Sequence, residues 1–133
     1  MRCLPLRLVP GNDLRLSLEA LARQAFPDGA FVLSGIGSLG DAQLRLAGAE
    51  QATRFAGEHE ILTLCGSITP QGAHLHMAVA SATGEVRGGH LVAGNLVRTT
   101  DEELLVEAQG WRLSRVPDAG TGYLELAARR AGE

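Results

Sequence analysis

The hydrophobic positions near the start of the chain follow two different periods in succession. Residues 2–9 alternate between apolar and polar, which is typical of a half-buried strand, and a Pro-Gly pair then predicts a turn. In residues 14–26 the apolar positions recur every three or four residues, which predicts an amphipathic helix capped by Asn12 or Asp13. The pattern therefore indicates a strand followed by a helix that packs on a sheet.

Most of the remaining chain consists of short apolar or alternating segments that predict strands. Their positions are 30–36, 43–46, 61–65, 96–97, 104–106 and 111–116. Gly35, Gly37 and Gly40 predict bends or bulges in the first of them, and Gly66 predicts the end of the third. Successive strands with few helices are typical of an antiparallel sheet.

Two stretches are predicted to lie outside the strands. Residues 48–57 are polar and predict a loop, and the polar residues 98–103 predict a break between two strands. Residues 124–127 include three apolar residues, but the segment is short and ends in a charged tail, so it indicates little about structure. We therefore expect the α+β class, with residues 1–133 as a single domain built on a large, mainly antiparallel sheet with one or two packed helices.

Three of the four histidines lie within residues 72–94. His74 and His76 are two positions apart, so in a strand both imidazoles point to the same face. Residues 81–84 then interrupt two runs with apolar character, and the glycine among them suits a tight reversal. This pattern predicts a hairpin that carries His90 on its second strand.

The register of the hairpin decides whether His90 joins the other two imidazoles. A two-residue loop at positions 83–84 would turn its side chain to the opposite face. A three-residue loop at positions 83–85 would place it diagonal to His76, and a bulge at the Gly-Gly pair before it would also redirect it. A convergent site requires one of the last two arrangements.

Three neutral imidazoles on one sheet face match the ligands of a catalytic zinc ion, with a fourth position left to water, a small molecule or an anion. Other divalent metals that accept imidazole ligands fit equally. The alternative is that His74, His76 and His90 are separate polar residues, each satisfied by the backbone or by water. The pattern favours the metal site.

Residues at the entrance of the strand 61–65 offer further candidates for chemistry. Glu60 could act as a general acid or base, and His59 could be a fourth ligand, although a solvated strand end explains His59 better. Glu85 and Arg87 are the other charged residues near the histidines in sequence.

The composition narrows the classes of partner. The formal net charge is −3, the pI is about 5.8 and aromatic residues make up 4% of the chain, whereas a duplex-binding domain is usually basic. We therefore expect only weak DNA binding without sequence preference.

The chain has no apolar run long enough for a membrane helix and no signal-peptide pattern at its start, so we expect a cytoplasmic protein. Its two cysteines, Cys3 and Cys65, are then expected to be reduced and buried.

The motifs together resemble the PPC domain, named for plants and prokaryotes, in its stand-alone bacterial form. The resemblance runs nearly end to end through RLVPGNDLRLSLEALA, LSGIGSLGDAQL, EILTLCGSITP, HLHMAVASATGEVRGGHLVAGNLV and TGYLEL. The specific part is the HxH pair followed by GxxxGGHLxxG.

This resemblance implies an α+β domain that assembles as a homotrimer and belongs to a family often labelled DNA-binding. The chain lacks the basic RGRP-type hook that accompanies the domain in plants, which leaves an assembly module. The fold is also similar to that of acetolactate decarboxylase, whose zinc is held by three histidines, and this implicates His74, His76 and His90. His59 departs from the aromatic residue usual at its position.

Two functions follow as hypotheses. The first is a homotrimeric binding or assembly module with a three-histidine metal site, in which any association with DNA is weak or indirect. The second is a zinc-dependent enzyme, a lyase or hydrolase, that acts on a small molecule at the same site. An enzyme additionally needs a positioned acid or base, for which Glu60 is the first candidate.

Overall fold

One helix and ten strands make up the structure, a computed structural model that describes residues 1–133. In chain order the elements are β1 (Cys3–Leu8), α1 (Leu14–Ala25), β2 (Ala30–Leu39), β3 (Ala42–Arg45), β4 (Thr53–Phe55), β5 (His59–Thr69), β6 (Gly72–Ser81), β7 (Val86–Leu91), β8 (Val97–Glu107), β9 (Trp111–Pro117) and β10 (Leu124–Arg130).

The first eight strands form one sheet in the order β1-β8-β2-β5-β6-β7-β3-β4, and every pairing in it is antiparallel. Strands β9 and β10 pair with each other as a separate two-stranded sheet. The predicted α+β class and mainly antiparallel sheet are therefore confirmed, with one helix.

Helix α1 covers one face of the large sheet. Its buried residues Leu14, Leu18 and Ala22 recur every fourth position and so lie on one side of the helix. Asp13 is the cap: its side chain accepts hydrogen bonds from the backbone N–H of Leu16 at 3.0 Å and of Gly94 at 2.7 Å. The helix face and the sheet enclose a core of 19 buried hydrophobic residues.

Several predicted strand ends were wrong, because pairing on both sides carries strands through residues that look like breaks. β2 continues through its glycines to Leu39, β5 continues past Gly66 to Thr69, and β8 is a single strand across residues 98–103. The predicted loop 48–57 contains β4, which pairs with β3 at one edge of the sheet. The C-terminal segment forms β10, which extends to Arg130.

Two acidic side chains of β8 explain why its polar stretch stays in the sheet. Asp101 and Glu103 are buried on the helix-covered side, at 0% and 4% exposure. They pair across β2 with Gly37 and Gly35, and a Cβ atom added at Gly35 would clash with the Glu103 carboxylate. Their four carboxylate oxygens have no hydrogen-bond partner outside the pair, and the two carboxyl groups share a hydrogen bond with each other. The glycines predicted as bends therefore make room for buried acids.

The opposite face of the large sheet carries no helix and exposes large apolar side chains. Phe31, Leu33, Ile36 and Leu62 alternate along β2 and β5 with positions that face the core, and they are 37%, 61%, 52% and 49% exposed. We call this surface the open face. Its exposed apolar side chains are of the kind that marks an interaction surface.

The expectation of buried cysteines was wrong, since Cys3 and Cys65 are free and exposed. Both lie on outer positions of sheet strands, where alternation turns their side chains away from the core.

The structure contains no helix with the length and apolar character needed to cross a membrane.

Candidate metal centre

The hairpin β6–β7 brings three histidines together on the open face. His74 and His76 alternate on β6 with the buried Leu75 between them, which turns both imidazoles away from the core. His90 on β7 pairs directly with His76. The predicted convergence of the three side chains is confirmed.

The turn that produces this register differs from each of the predicted arrangements. The backbone N–H of Ser81 donates to the carbonyl oxygen of Glu85 at 2.9 Å, so the loop consists of the three residues 82–84. This loop lies one position earlier than the predicted three-residue loop, and β6 and β7 pair without a bulge at the Gly-Gly pair. His90 therefore lies opposite His76 and not diagonal to it.

The three imidazoles are close enough to share one ion. Their ring centroids are 4.8–5.4 Å apart, and one ligand nitrogen from each ring lies within 4.8 Å of the other two. The Nε2 atoms of His74 and His76 are 3.2 Å apart. No protein atom occupies the hydrogen-bonding position of the buried Nδ1 of His90.

These distances fit the geometry of a bound divalent metal. Tetrahedral zinc with metal–nitrogen bonds of ~2.0–2.1 Å separates its ligand nitrogens by about 3.3 Å. The His74–His76 distance already has this value, and the His90 nitrogen has only to approach its partners. The residues present therefore fit zinc, and they fit other imidazole-binding metals for the same reason.

Electrostatics at the cluster favour neutral rings, the form that binds metal. Burial lowers the pKa of His74, and the neighbouring His76 and Arg115 lower it further. Burial also lowers the pKa of His90, and Arg45 contributes in the same direction. Protons therefore compete less well for these two imidazoles than for a free histidine.

Arg45 and Cys65 flank the histidines and were not recognised from the sequence. Arg45 pairs with His90 across β3 and β7, and Cys65 pairs with His76 across β5 and β6. A cavity of about 380 Å³ adjoins them, lined by Arg45, Ala47, Thr63, Cys65, His76, Met77, Ala78, Gly88, Gly89 and His90. No sequence signal marks either residue, because both reach the cluster through pairing between strands distant in sequence.

The hairpin β9–β10 is attached to the large sheet beside the cluster. Ser67 pairs with His74, and the Arg115 guanidinium donates from Nη2 to Ser67 Oγ at 2.6 Å. The backbone N–H of Arg115 also donates to the Gln71 side chain at 3.0 Å. These contacts attach the C-terminal hairpin to the strand beside the metal ligands.

The other charged candidates do not lie at the cluster. Glu60 pairs with Ala80, four residues along β6 from His76, which corresponds to about 13 Å. The Glu85 carboxylate accepts from Arg87 at 2.9 Å, and the Arg87 guanidinium stacks on a phenylalanine ring, 4.6 Å from its centroid. None of these groups is placed as an acid or base for a ligand of the three histidines.

His59 is neither a fourth ligand nor a solvated residue, so both interpretations of it were wrong. It is 3% exposed and pairs with Ser81, far along β6 from the cluster. Its Nδ1 lies 3.0 Å and 2.9 Å from the carbonyl oxygens of Gly40 and Gly57, which assigns the Nδ1 proton. His59 joins the loops around β3 and β4.

Several known proteins are similar to this chain in sequence or in fold. The Bifunctional protein GlmU of Synechococcus sp. (strain JA-3-3Ab) is 48% identical over 133 residues, which is 100% of this chain and 21% of the relative. The chain therefore spans about a fifth of that protein. The structure of a hypothetical protein from Salmonella cholerae-suis has a TM-score of 0.93 at 38% identity, covering 97% of this chain and 94% of that one.

Two more distant structures carry functional descriptions of their own. The metal-containing protein AF0104 from Archaeoglobus fulgidus has a TM-score of 0.74 at 25% identity and covers 96% of this chain and 94% of its own. A protein from Ralstonia eutropha JMP134, provisionally described as DNA-binding, has a TM-score of 0.78 at 27% identity, with 92% and 89% covered.

The family itself follows from a match that extends over most of the chain and includes all three clustered histidines. Residues 1–109 match the family model called Plants and Prokaryotes Conserved (PCC) domain. The chain therefore belongs to the PCC domain family, the family that its motifs resemble.

Proposed function

We propose that this protein is a homotrimeric metal-binding module that holds one zinc ion per chain on His74, His76 and His90. The observation that carries this proposal is the convergence of three imidazoles at ligand spacing on one face of the sheet. Water or a small ligand completes the shell of the ion.

Two further observations support a binding module. A similar structure from Archaeoglobus fulgidus is described as a metal-containing protein. The GlmU relatives contain the equivalent of this chain as about a fifth of their length, as expected for a module that works beside other domains. The net charge of −3 argues against duplex DNA as the main partner, so association with DNA is weak or indirect.

A zinc-dependent lyase or hydrolase is the second candidate. The cavity of about 380 Å³ beside His76 and His90 favours it, because this volume is within the range of small-molecule sites. The acid or base of such an enzyme would have to come from the ligand or from another chain, since Glu60 and Glu85 lie elsewhere.

Metal content tests the site directly. We expect close to one zinc ion per chain in metal-supplemented, desalted protein and none in the variant with all three histidines changed to alanine. His76→Ala should weaken binding most among single variants, since His76 is the middle ligand and contacts both other rings. His59→Gln serves as the matched control, since it changes the fourth histidine away from the cluster.

Elemental analysis and circular dichroism give the two readouts. Equal metal content in the wild type and the triple variant, with both folded, would show that the histidines are ordinary sheet residues. Metal content should also fall at acid pH, because protons compete with the metal for imidazole nitrogen.

Trimer formation is predicted from the family resemblance and from the open face, whose apolar side chains α1 does not cover. Light scattering at micromolar concentration should give three times the chain mass of 14.0 kDa. Leu33→Asp on the open face should dissociate the assembly, whereas Leu16→Asp, at a similarly exposed position on α1, should not. A monomer mass for the wild type would contradict this prediction.

A further inference from the structure

Arg45 is positioned to contact whatever binds the metal. It pairs directly with His90, and alternation therefore turns both side chains to the same face of the sheet. It lines the same cavity as His76 and His90. The buried Asn95 fixes strand β3, because its side chain exchanges two hydrogen bonds of 2.8 Å with the backbone of Gln43.

The positive charge of Arg45 has no counter-ion. None of the six ion pairs in the structure includes it, and its one hydrogen bond is a long contact of 3.3 Å from Nη1 to the Ala49 carbonyl oxygen. The guanidinium therefore keeps most of its five N–H donors free. Arg115 differs, since it is not among the residues that line the cavity and its guanidinium donates to Ser67 at 2.6 Å.

The cavity as a whole also lacks negative charge. No aspartate or glutamate is among its ten lining residues. A divalent ion on three neutral imidazoles keeps its charge of +2, and Arg45 adds a further positive charge beside it. An anionic ligand would neutralise this charge and so avoid the cost of burying it unpaired.

The geometry points to an oxyanion, a carboxylate or phosphate group of a small molecule, bound between the metal and Arg45. This inference rests on the proposed metal site. One oxygen of the anion would take the open metal position, and the guanidinium would bind the others through paired N–H donors. Ala47, Met77 and Ala78 would contact an apolar remainder of the ligand.

Cobalt-substituted protein provides the test, because the visible spectrum of cobalt(II) reports its coordination shell. The probes are acetate and inorganic phosphate, which distinguish a carboxylate from a phosphate ligand. We expect at least one of them to change the spectrum of the wild type at millimolar concentration or below. Arg45→Gln should bind that anion at least about tenfold more weakly, and Arg45→Lys should give an intermediate value.

Controls separate this inference from the metal site itself. Each variant is checked for fold by circular dichroism and for cobalt content, which Arg45→Gln should leave at the wild-type value. Arg115→Gln removes a second arginine near the cluster and should change anion affinity by less than about twofold, because Arg115 does not line the cavity.

Each contrary result has a distinct meaning. Normal cobalt content with equal anion affinity in the wild type and Arg45→Gln, or with no response to either anion in the wild type, would overturn the role of Arg45 and leave the metal site standing. Absence of cobalt from the folded wild type would overturn both proposals.

Discussion

Gly66→Ala is expected to destabilise the protein by more than about 4 kcal/mol, which places it among the most damaging single substitutions. Gly66 has φ of +145° in the middle of β5, a conformation that side chains disfavour. Its added Cβ would clash with the carbonyl oxygen of His74 and lie 2.9 Å from Leu75 Cα. Both are backbone atoms of the strand that carries the metal ligands, so no side-chain movement can relieve the contact.

Urea unfolding of Gly66→Ala and Gly84→Ala measures the effect. Gly84 also has positive φ, at +82°, but a Cβ there meets open space in the turn after β6. Its substitution should therefore cost only about 1 kcal/mol. Similar losses in the two variants would show that the close approach of β5 and β6 is not the cause.

Stability is expected to fall as pH rises through neutrality, because of the buried Glu103. Burial first, and then the neighbouring Asp101, raises the pKa of Glu103 to about 10. At a pH above the ordinary carboxyl pKa, the unfolded chain has therefore released this proton, whereas the folded state still holds it. The stability that this proton contributes is fully present below the unfolded pKa. It declines by up to about 1.4 kcal/mol per pH unit as pH rises from the unfolded pKa to the folded pKa.

Glu103→Gln removes this titration. Between pH 7 and pH 9 its free energy of unfolding should therefore fall by about 3 kcal/mol less than that of the wild type. Burial also raises the pKa of Asp101, but to about 6, so its main contribution lies below this interval. Glu102→Gln, the exposed neighbour on the outer face of β8, is the control and should keep the wild-type slope. Chemical unfolding at several pH values measures all three proteins, and parallel curves for wild type and Glu103→Gln would contradict the argument.

Local patterns predicted the elements better than their ends. The helix from Leu14 was predicted correctly because its cap and its apolar spacing are both encoded within a few residues. The break predicted at residues 98–103 was wrong, because Asp101 and Glu103 are tolerated in the core only where Gly37 and Gly35 face them from another strand. A compensation between residues more than sixty positions apart has no local signal.

The sequence by itself determined the class of the fold, the family, and the shared face of His74 and His76, since strand alternation and motif spacing are properties of neighbouring residues. Only the tertiary structure decided that His90 lies directly opposite His76, that Arg45 stands beside it, and that Glu60 lies too far away. The physical reason is register: one residue more or less in a turn reverses the face of every side chain that follows, and pairing between distant strands sets that number.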